Sequence, residues 1–394
     1  MKNNYHKENA WWASPYNDDP AVVETIQLAP KVEIHDATLR DGEQTPGVVF
    51  TVDDKIRIAE KLNEVGIERI EAGTPAVSKD DYEAIKAICK RNLKSKIFTF
   101  ARAMREDIDK AVDCGAHGVV IEVPIGYPKL KYQFHWTWDK VLEKSADCIN
   151  YARSQGLHVV YFPYDTTRAR EEDLTQLMTG IMKNSPPNSV GVVDTMGCAL
   201  PQTIQYLVRK MKKLTGGIPV EVHTHNDFGM AVATELAGVA AGAEVIHSCV
   251  NGLGERTGNA AVEELMGSLK ILMGTENDYK LDKLMELCEL VEKISGVPLA
   301  ANKPVAGKRN YTRESGIGVD LVIKEPLAMF ATDPRYFGRT GDIVLGKKSG
   351  KASVEYFLDQ LNIQVSDEAV GEILERVKAK GMEKRGLLTL DEFE

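Results

Sequence analysis

Between residues 31 and 275, short runs rich in valine and isoleucine alternate with longer stretches whose apolar positions recur every three or four residues. The short runs, bounded by turn-forming residues, predict strands at Val32–Asp36, Ile67–Ala72, Lys96–Phe100, Gly118–Val123, His158–Pro163, Ser189–Asp194, Val220–Thr224 and Glu244–Cys249. The longer stretches predict amphipathic helices. Asp53–Val65 carries Ile56, Ala59, Leu62 and Val65 on one face, and Trp138–Ala152 carries Val141, Ile149 and Ala152. Gly66, Gly115, Gly156 and Gly242 stand where helices should stop. A strand and a helix in every unit of about thirty residues is the pattern of parallel β/α folds, and this number of units fits a closed barrel better than an open sheet. The predicted fold is therefore α/β, a (β/α)8 TIM-type barrel spanning 31–275, with its reactive groups at the C-terminal ends of the strands.

The flanks read differently. Residues 1–30, with Trp11, Trp12, Tyr16 and several prolines, form an arm too short for a domain, expected to pack on the barrel or on a partner subunit. Residues 276–394 predict a smaller C-terminal linker lobe. It comprises a helix at Glu276–Ile294, a Gly- and Lys/Arg-rich connector at Asn302–Asp320, a loop-rich piece at Glu325–Phe337, and helices at Ser349–Leu361 and Glu368–Lys380.

Composition narrows the functional classes. Against 58 acidic residues stand 49 basic ones, a net charge of −9, so the chain offers no basic field for nucleic acid or an anionic membrane. No apolar run is long enough to span a bilayer, and the N-terminus has no signal-peptide core, which makes a cytoplasmic enzyme the expectation. Cys89, Cys114, Cys148, Cys198, Cys249 and Cys288 are scattered without a Cys-x-x-Cys, arguing against both a zinc knuckle and a disulfide framework.

Two segments hold the candidate chemistry. His223 and His225 alternate along Val220–Thr224 and its end, so both imidazoles point to one side and can grip one ion. Asp41, past the first strand and followed by Gly42, is the candidate third ligand. Two imidazoles and a carboxylate leave coordination positions open for substrate, as in catalytic rather than structural sites. Arg40 beside Asp41 is placed to stabilise developing negative charge. Glu71, Glu122, Asp165, Asp194-Thr195, His225 and Asn251 also fall at or just past predicted strand ends.

These residues resemble the DRE-TIM metallolyases, which include isopropylmalate, homocitrate, citramalate and Re-face citrate synthases and 3-hydroxy-3-methylglutaryl-CoA lyase. Leu39-Arg40-Asp41-Gly42-Glu43-Gln44 with Lys55 is similar to the first family signature, and Val220 through Ala233 to the second. Asn251 through Asn259 (N-G-L-G-E-R-T-G-N) resembles the synthase form of the loop after the last strand, and the lyase's cysteine-bearing loop is missing. Leu345-Gly346-Lys347-Lys348-Ser349-Gly350 resembles a segment of the synthase linker lobe. The resemblance implies a Claisen-type condensation of acetyl-CoA with a 2-oxo acid on a divalent metal (manganese, magnesium or zinc), with coenzyme A as acyl carrier. It implies Asp41, His223 and His225 as ligands, Arg40 as stabiliser of the oxyanion, and Thr195, Gln44 and Asn251 as substrate-binding groups. A homodimer is the assembly it implies.

The chain also departs from that pattern. Where synthases carry Phe-Ser-x-Glu-Asp, it reads Phe162-Pro163-Tyr164-Asp165, so Tyr164 or Asp165 takes the glutamate's place. The histidine tied to deprotonating the acetyl group falls at Gly318, and the assisting tyrosine near Met329 or Phe330. Glu122 and Asp165 are the candidate replacement bases, with Tyr164 and Arg313 as groups that could position the thioester. Lys129 and Lys131 are either partners for a second carboxylate, as in oxaloacetate or 2-oxoglutarate, or solvated loop lysines. Two other readings share the ligands: a hydroxyacyl-CoA lyase, and a catalytically silent paralogue that binds metal and oxo acid.

Overall fold

The computed structural model describes residues 4–394, which divide into two compact units: Asp19–Pro298, and Leu299–Glu394 with the N-terminal stretch ending at Asp18. The larger unit is a closed barrel of eight parallel strands: β1 Glu33–Asp36, β2 Arg69–Glu71, β3 Lys96–Arg102, β4 Gly118–Pro124, β5 His158–Tyr164, β6 Ser189–Asp194, β7 Val220–Thr224 and β8 Val245–Ser248. They pair in sequence order, and β8 closes on β1 through the register Val245↔Glu33 to Ser248↔Asp36. The chain thus forms the TIM barrel that its periodicity predicts.

Helices follow the strands. In α1, Val52–Val65, Thr51 accepts from the Asp54 amide while Asp54 accepts from the Thr51 amide, and Gly66 ends the helix. Its inner face buries Ile58, Ala59, Leu62 and Val65, together with the stem of Lys55. The helix Leu284–Ser295 packs against α1 and belongs with the barrel unit. The contact boundary therefore falls after Pro298 rather than at 276. Leu284, Leu287, Cys288 and Val291 are buried, and that apolar stripe needs the barrel helices to cover it.

The barrel interior has two halves. On the β3–β6 side, Phe98, Val120, Val160, Phe162 and Val193 form an apolar cluster. Across from it, β7, β8, β1 and β2 contribute a buried ionisable column. Arg69 donates to Glu33 and to Glu221, each at 2.8 Å, and Glu221 also accepts from Ser189 at 2.6 Å and meets the His247 ring at 2.9 Å. His247 stacks on His35 with ring centroids 4.3 Å apart.

In the smaller unit, the two-residue strands His6–Lys7 and Trp11–Trp12 pair with each other, and the Trp12 amide donates to the Ala331 carbonyl at 2.8 Å. Trp11 is buried against Tyr336, so the first part of the N-terminal arm packs on this unit. Helices Lys351–Gln360 and Asp367–Lys384 pack through Val354, Leu358, Val370 and Leu374. Gly318 caps the short helix Val319–Lys324 at φ +77°, and a Cβ there would lie 2.7 Å from the Met329 sulfur. The left-handed backbone disfavours a larger side chain at that position, and one would have to displace the Met329 thioether. No helix among the described residues is long and apolar enough to cross a membrane.

Candidate active site

The mouth of the barrel gathers residues from opposite ends of the chain. Asp41 leaves β1 through Gly42, His223 sits on β7, and His225 follows it, bridged to Asn259 in the loop after β8. The Nε2 atoms of His223 and His225 lie 3.3 and 3.7 Å from Asp41 Oδ2. All three side chains are buried, and their candidate ligand atoms lie within 4.8 Å of one another. Asp41 Oδ1 has no hydrogen-bond partner within the protein. An acceptor left bare in a buried site costs free energy unless something else is to be bound there, and the donor set suits a divalent cation.

Electrostatics favour the same use. Burial would raise the Asp41 carboxyl, but Arg40 and the two imidazoles outweigh it and hold it well below the usual carboxylate range. Burial lowers both histidines against the pull of Asp41, His225 to about 4, so both are neutral at physiological pH, the form that ligates metal.

Arg40 is fixed from two sides. Its Nε and Nη2 donate to the two oxygens of Glu71 at 2.9 and 3.3 Å, and Nη1 lies 3.3 Å from Asp41 Oδ2. The guanidinium also covers the Phe100 ring, 4.7 Å from its centroid. Of its five N–H donors, two remain for a ligand.

A second cluster with metal-ligand composition, His35, Glu221 and His247, lies inside the barrel. There Glu221 already accepts from Arg69 and Ser189 and faces His247, and His35 stacks on His247 with its Nε2 3.6 Å from Glu71 Oε2. It is an internal ion-pair network.

The remaining candidates separate. Thr195 is buried just past β6, its hydroxyl oxygen accepting from the Asp165 amide at 3.0 Å. Asp165 is buried at φ +61°, with Arg168 forked across its oxygens at 2.7 to 3.0 Å. Half-buried Tyr164 carries the Lys129 ammonium 4.2 Å above its ring, and burial raises its phenol. Lys131 is exposed, lying over Tyr127 and Tyr132. Gln44 is exposed at the end of the turn Gly42–Gln44. Glu122, on β4, lies within electrostatic reach of Arg40 and Asp41, and burial pushes its carboxyl up to about 7 against the pull of Arg40.

Asn251 is engaged through its Nδ2, while its Oδ1 is buried without a hydrogen-bond partner. At φ +60° it turns its amide to the Cys288 carbonyl, 2.9 Å away, and the structure uses it to seat the loop on the helix Leu284–Ser295. Asn259 takes the position beside Asp41. Its Nδ2 donates to the Leu253 carbonyl at 3.0 Å, and its Oδ1 is buried without a partner. The strand-end rule missed it because the loop must travel to Gly258 and back before Asn259 pairs with His225. Gly254 makes that path possible: at φ +146°, a Cβ there would stand 2.2 Å from Asn259 Nδ2 and 3.3 Å from Asp41 Oδ1.

Buried Lys55 supports the Asp41 turn, donating to the Leu39 carbonyl and pairing with Glu43 and Asp81. Arg256 ties three loops together, forking Asp227 at 2.9 and 3.0 Å and reaching the Thr195 carbonyl at 2.6 Å.

Residues 31–291 match the family model described as HMGL-like, and residues 305–385 match that of the homocitrate synthase post-HMGL domain. The chain belongs to the HMGL-like family. Curated relatives are similar: homocitrate synthase AksA of Methanocaldococcus jannaschii is 38% identical, covering 94% of this chain and 90% of that protein. A probable 2-isopropylmalate synthase of Ignicoccus hospitalis is 40% identical over 91% of this chain and 90% of its own. The (R)-citramalate synthase CimA of M. jannaschii is 41% identical over 89% of this chain and 71% of its own. Among solved HMGL-like structures, the HMG-CoA lyase of Bacillus subtilis shares the fold, with a TM-score of 0.62 at 20% identity over 70% of this chain and 97% of that one.

Proposed function

We propose that this protein condenses acetyl-CoA with a 2-oxo acid, releasing free coenzyme A. The observation that carries the reading is the convergence of Asp41, His223 and His225 beside the forked Arg40 at one barrel mouth. Its relatives bear it out in kind: homocitrate, citramalate and isopropylmalate synthases all join acetyl-CoA to a 2-oxo acid.

In this reading Asp41, His223 and His225 would hold a divalent cation, with Asn259 beside them. The chemistry supplied by a cation bound there is Lewis-acid polarisation of the substrate ketone. Arg40, held by Glu71, keeps two donors directed at negative charge developing on oxygen, inside a site where burial strengthens that interaction. The Thr195 hydroxyl, whose oxygen already accepts from Asp165, keeps its proton to donate to the substrate carboxylate. Tyr164, with its phenol protonated, and Lys129 line the approach of the thioester or the far end of the oxo acid. A cytoplasmic homodimer is the setting this reading carries with it.

Thiol release from acetyl-CoA, followed with a panel of 2-oxo acids with and without magnesium, manganese or zinc, tests the proposal. Metal-dependent release with one oxo acid supports it. Cleavage of a hydroxyacyl-CoA without condensation would instead make the protein a lyase. Metal and oxo-acid binding with neither product would make it the silent paralogue that Gly318 brings to mind.

A further inference from the structure

At or just past the ends of the barrel strands stand the carboxylates of Asp41, Glu71, Glu122, Asp165, Asp194 and Asp227. All but one are held. Asp41 faces Arg40 and the imidazoles, and Glu71 accepts the Arg40 fork. Asp165 lies under Arg168, and Asp227 under Arg256. Asp194 accepts from Thr167 and the Ala199 amide. Among the described residues, no hydrogen bond or ion pair reaches the carboxylate of Glu122.

Resting on the condensation proposed above, we infer that Glu122 is the base that takes the proton from the methyl carbon of the acetyl thioester. The C–H bond breaks, the proton goes to a carboxylate oxygen of Glu122, and the electron pair becomes the enolate. The enolate carbon then bonds to the ketone carbon of the oxo acid, whose carbonyl pair moves onto oxygen. That alkoxide recovers the proton held on Glu122, directly or relayed through a water, which regenerates the base, and attack of water on the condensed thioester then breaks its C–S bond to give the carboxylate and free coenzyme A.

The geometry supports this residue over its neighbours. Glu122 sits on β4 between Arg102 of β3 and Phe162 of β5, on the same mouth as the ligand set. The charged groups that act on it are Arg40, Asp41, Lys129 and Glu71, with Tyr164 coupled to it from β5. Arg102 is itself paired with Asp107. A partly buried carboxylate with cations near but not bonded can gain and lose a proton near neutrality, where a general base works best. Asp165 cannot serve while Arg168 covers both its oxygens, the half-buried Tyr164 phenol stays protonated, and Gly318 has no side chain.

The test uses the full-length protein loaded with metal, as wild type, Glu122→Gln and Glu122→Asp. Exchange of acetyl-CoA methyl protons into deuterated water is read by NMR, beside thiol release, bound metal and oxo-acid affinity. Glu122→Gln should lose both exchange and thiol release by about 10²–10⁴-fold. Its metal content and oxo-acid affinity should stay within about twofold of wild type. The acid limb of wild-type kcat/KM should vanish from the residual rate, and Glu122→Asp should recover part of the activity. Exchange in Glu122→Gln within about fivefold of wild type, or an unchanged acid limb, overturns the assignment. So does loss of metal or oxo-acid binding alongside the rate, which would mark a structural role. Failure of the condensation reading would appear in the wild type alone, as absence of thiol release with every oxo acid, and would overturn this inference with it.

Discussion

Arg40 and Glu71 meet edge to edge, with two N–H donors of the guanidinium on the two oxygens of the carboxylate, and the side chains are 8% and 0% exposed. Burial opposes ionisation of Glu71, yet Arg40, with His35, holds its carboxyl down at about 2. Replacing Arg40 with Lys keeps the charge and loses the fork. Turnover should fall by about 10²–10³-fold with metal still bound. Full activity in that variant would remove Arg40 from the mechanism. Glu71→Ala leaves a buried guanidinium with Asp41 as its one bonded carboxylate, and a drop of roughly 3–5 kcal/mol in unfolding free energy is expected in a denaturant titration.

The histidine pair makes a separate prediction. His223→Ala or His225→Ala should abolish stable metal retention, measured by elemental analysis after dialysis, while circular dichroism remains that of the wild type. Unchanged metal content in either variant would rule out this ligand set.

The two asparagines of the loop after β8 should behave oppositely. Asn259→Ala should weaken metal affinity by about 10–100-fold, as loss of a group supporting a metal site does. Asn251→Ala should leave that affinity alone and lower stability by about 1 kcal/mol, since it removes the hydrogen bond to the Cys288 carbonyl. Equal losses of affinity in both variants would contradict the placement.

Glu68 predicts a pH dependence remote from the mouth. Burial raises its carboxyl from 4.5 to about 7, against the Ile34 amide that donates to it. The folded state therefore binds a proton that the unfolded chain has already lost, so stability declines as pH rises from about 4.5 to about 7 and levels off above that. Relative to Glu68→Gln, the wild type should lose roughly 1–3 kcal/mol across that window. Parallel stability profiles for the two proteins would refute it.

Much of this was legible in the chain because the barrel repeats one rule. Valine-bearing runs such as Ser189–Asp194 and Val220–Thr224 match the observed strands residue for residue, their valines filling the barrel wall. The Asp41, His223 and His225 set was also readable, because strand alternation aims both imidazoles one way. The buried column of Glu33, Arg69, Glu221 and His247 was not, because each residue alone looks like an ordinary polar neighbour and only barrel closure makes them partners. Asn251 and Asn259 share a loop and a chemistry, and the backbone turns that choose between them do not show in composition. Asp165 looked available until the turn through Thr166–Arg168 placed a guanidinium over it.

Asp41 follows the first strand and the histidines lie on the seventh, so the two are neighbours only because the eighth strand slots between them and seals the cylinder. A growing polypeptide that has emerged only as far as Asp227 already holds all three candidate ligands, but without barrel closure Asp41 does not stand beside the imidazoles. Cation uptake is thereby a reporter of completed topology: during synthesis or refolding it should lag behind secondary structure and coincide with the docking of Val245–Ser248.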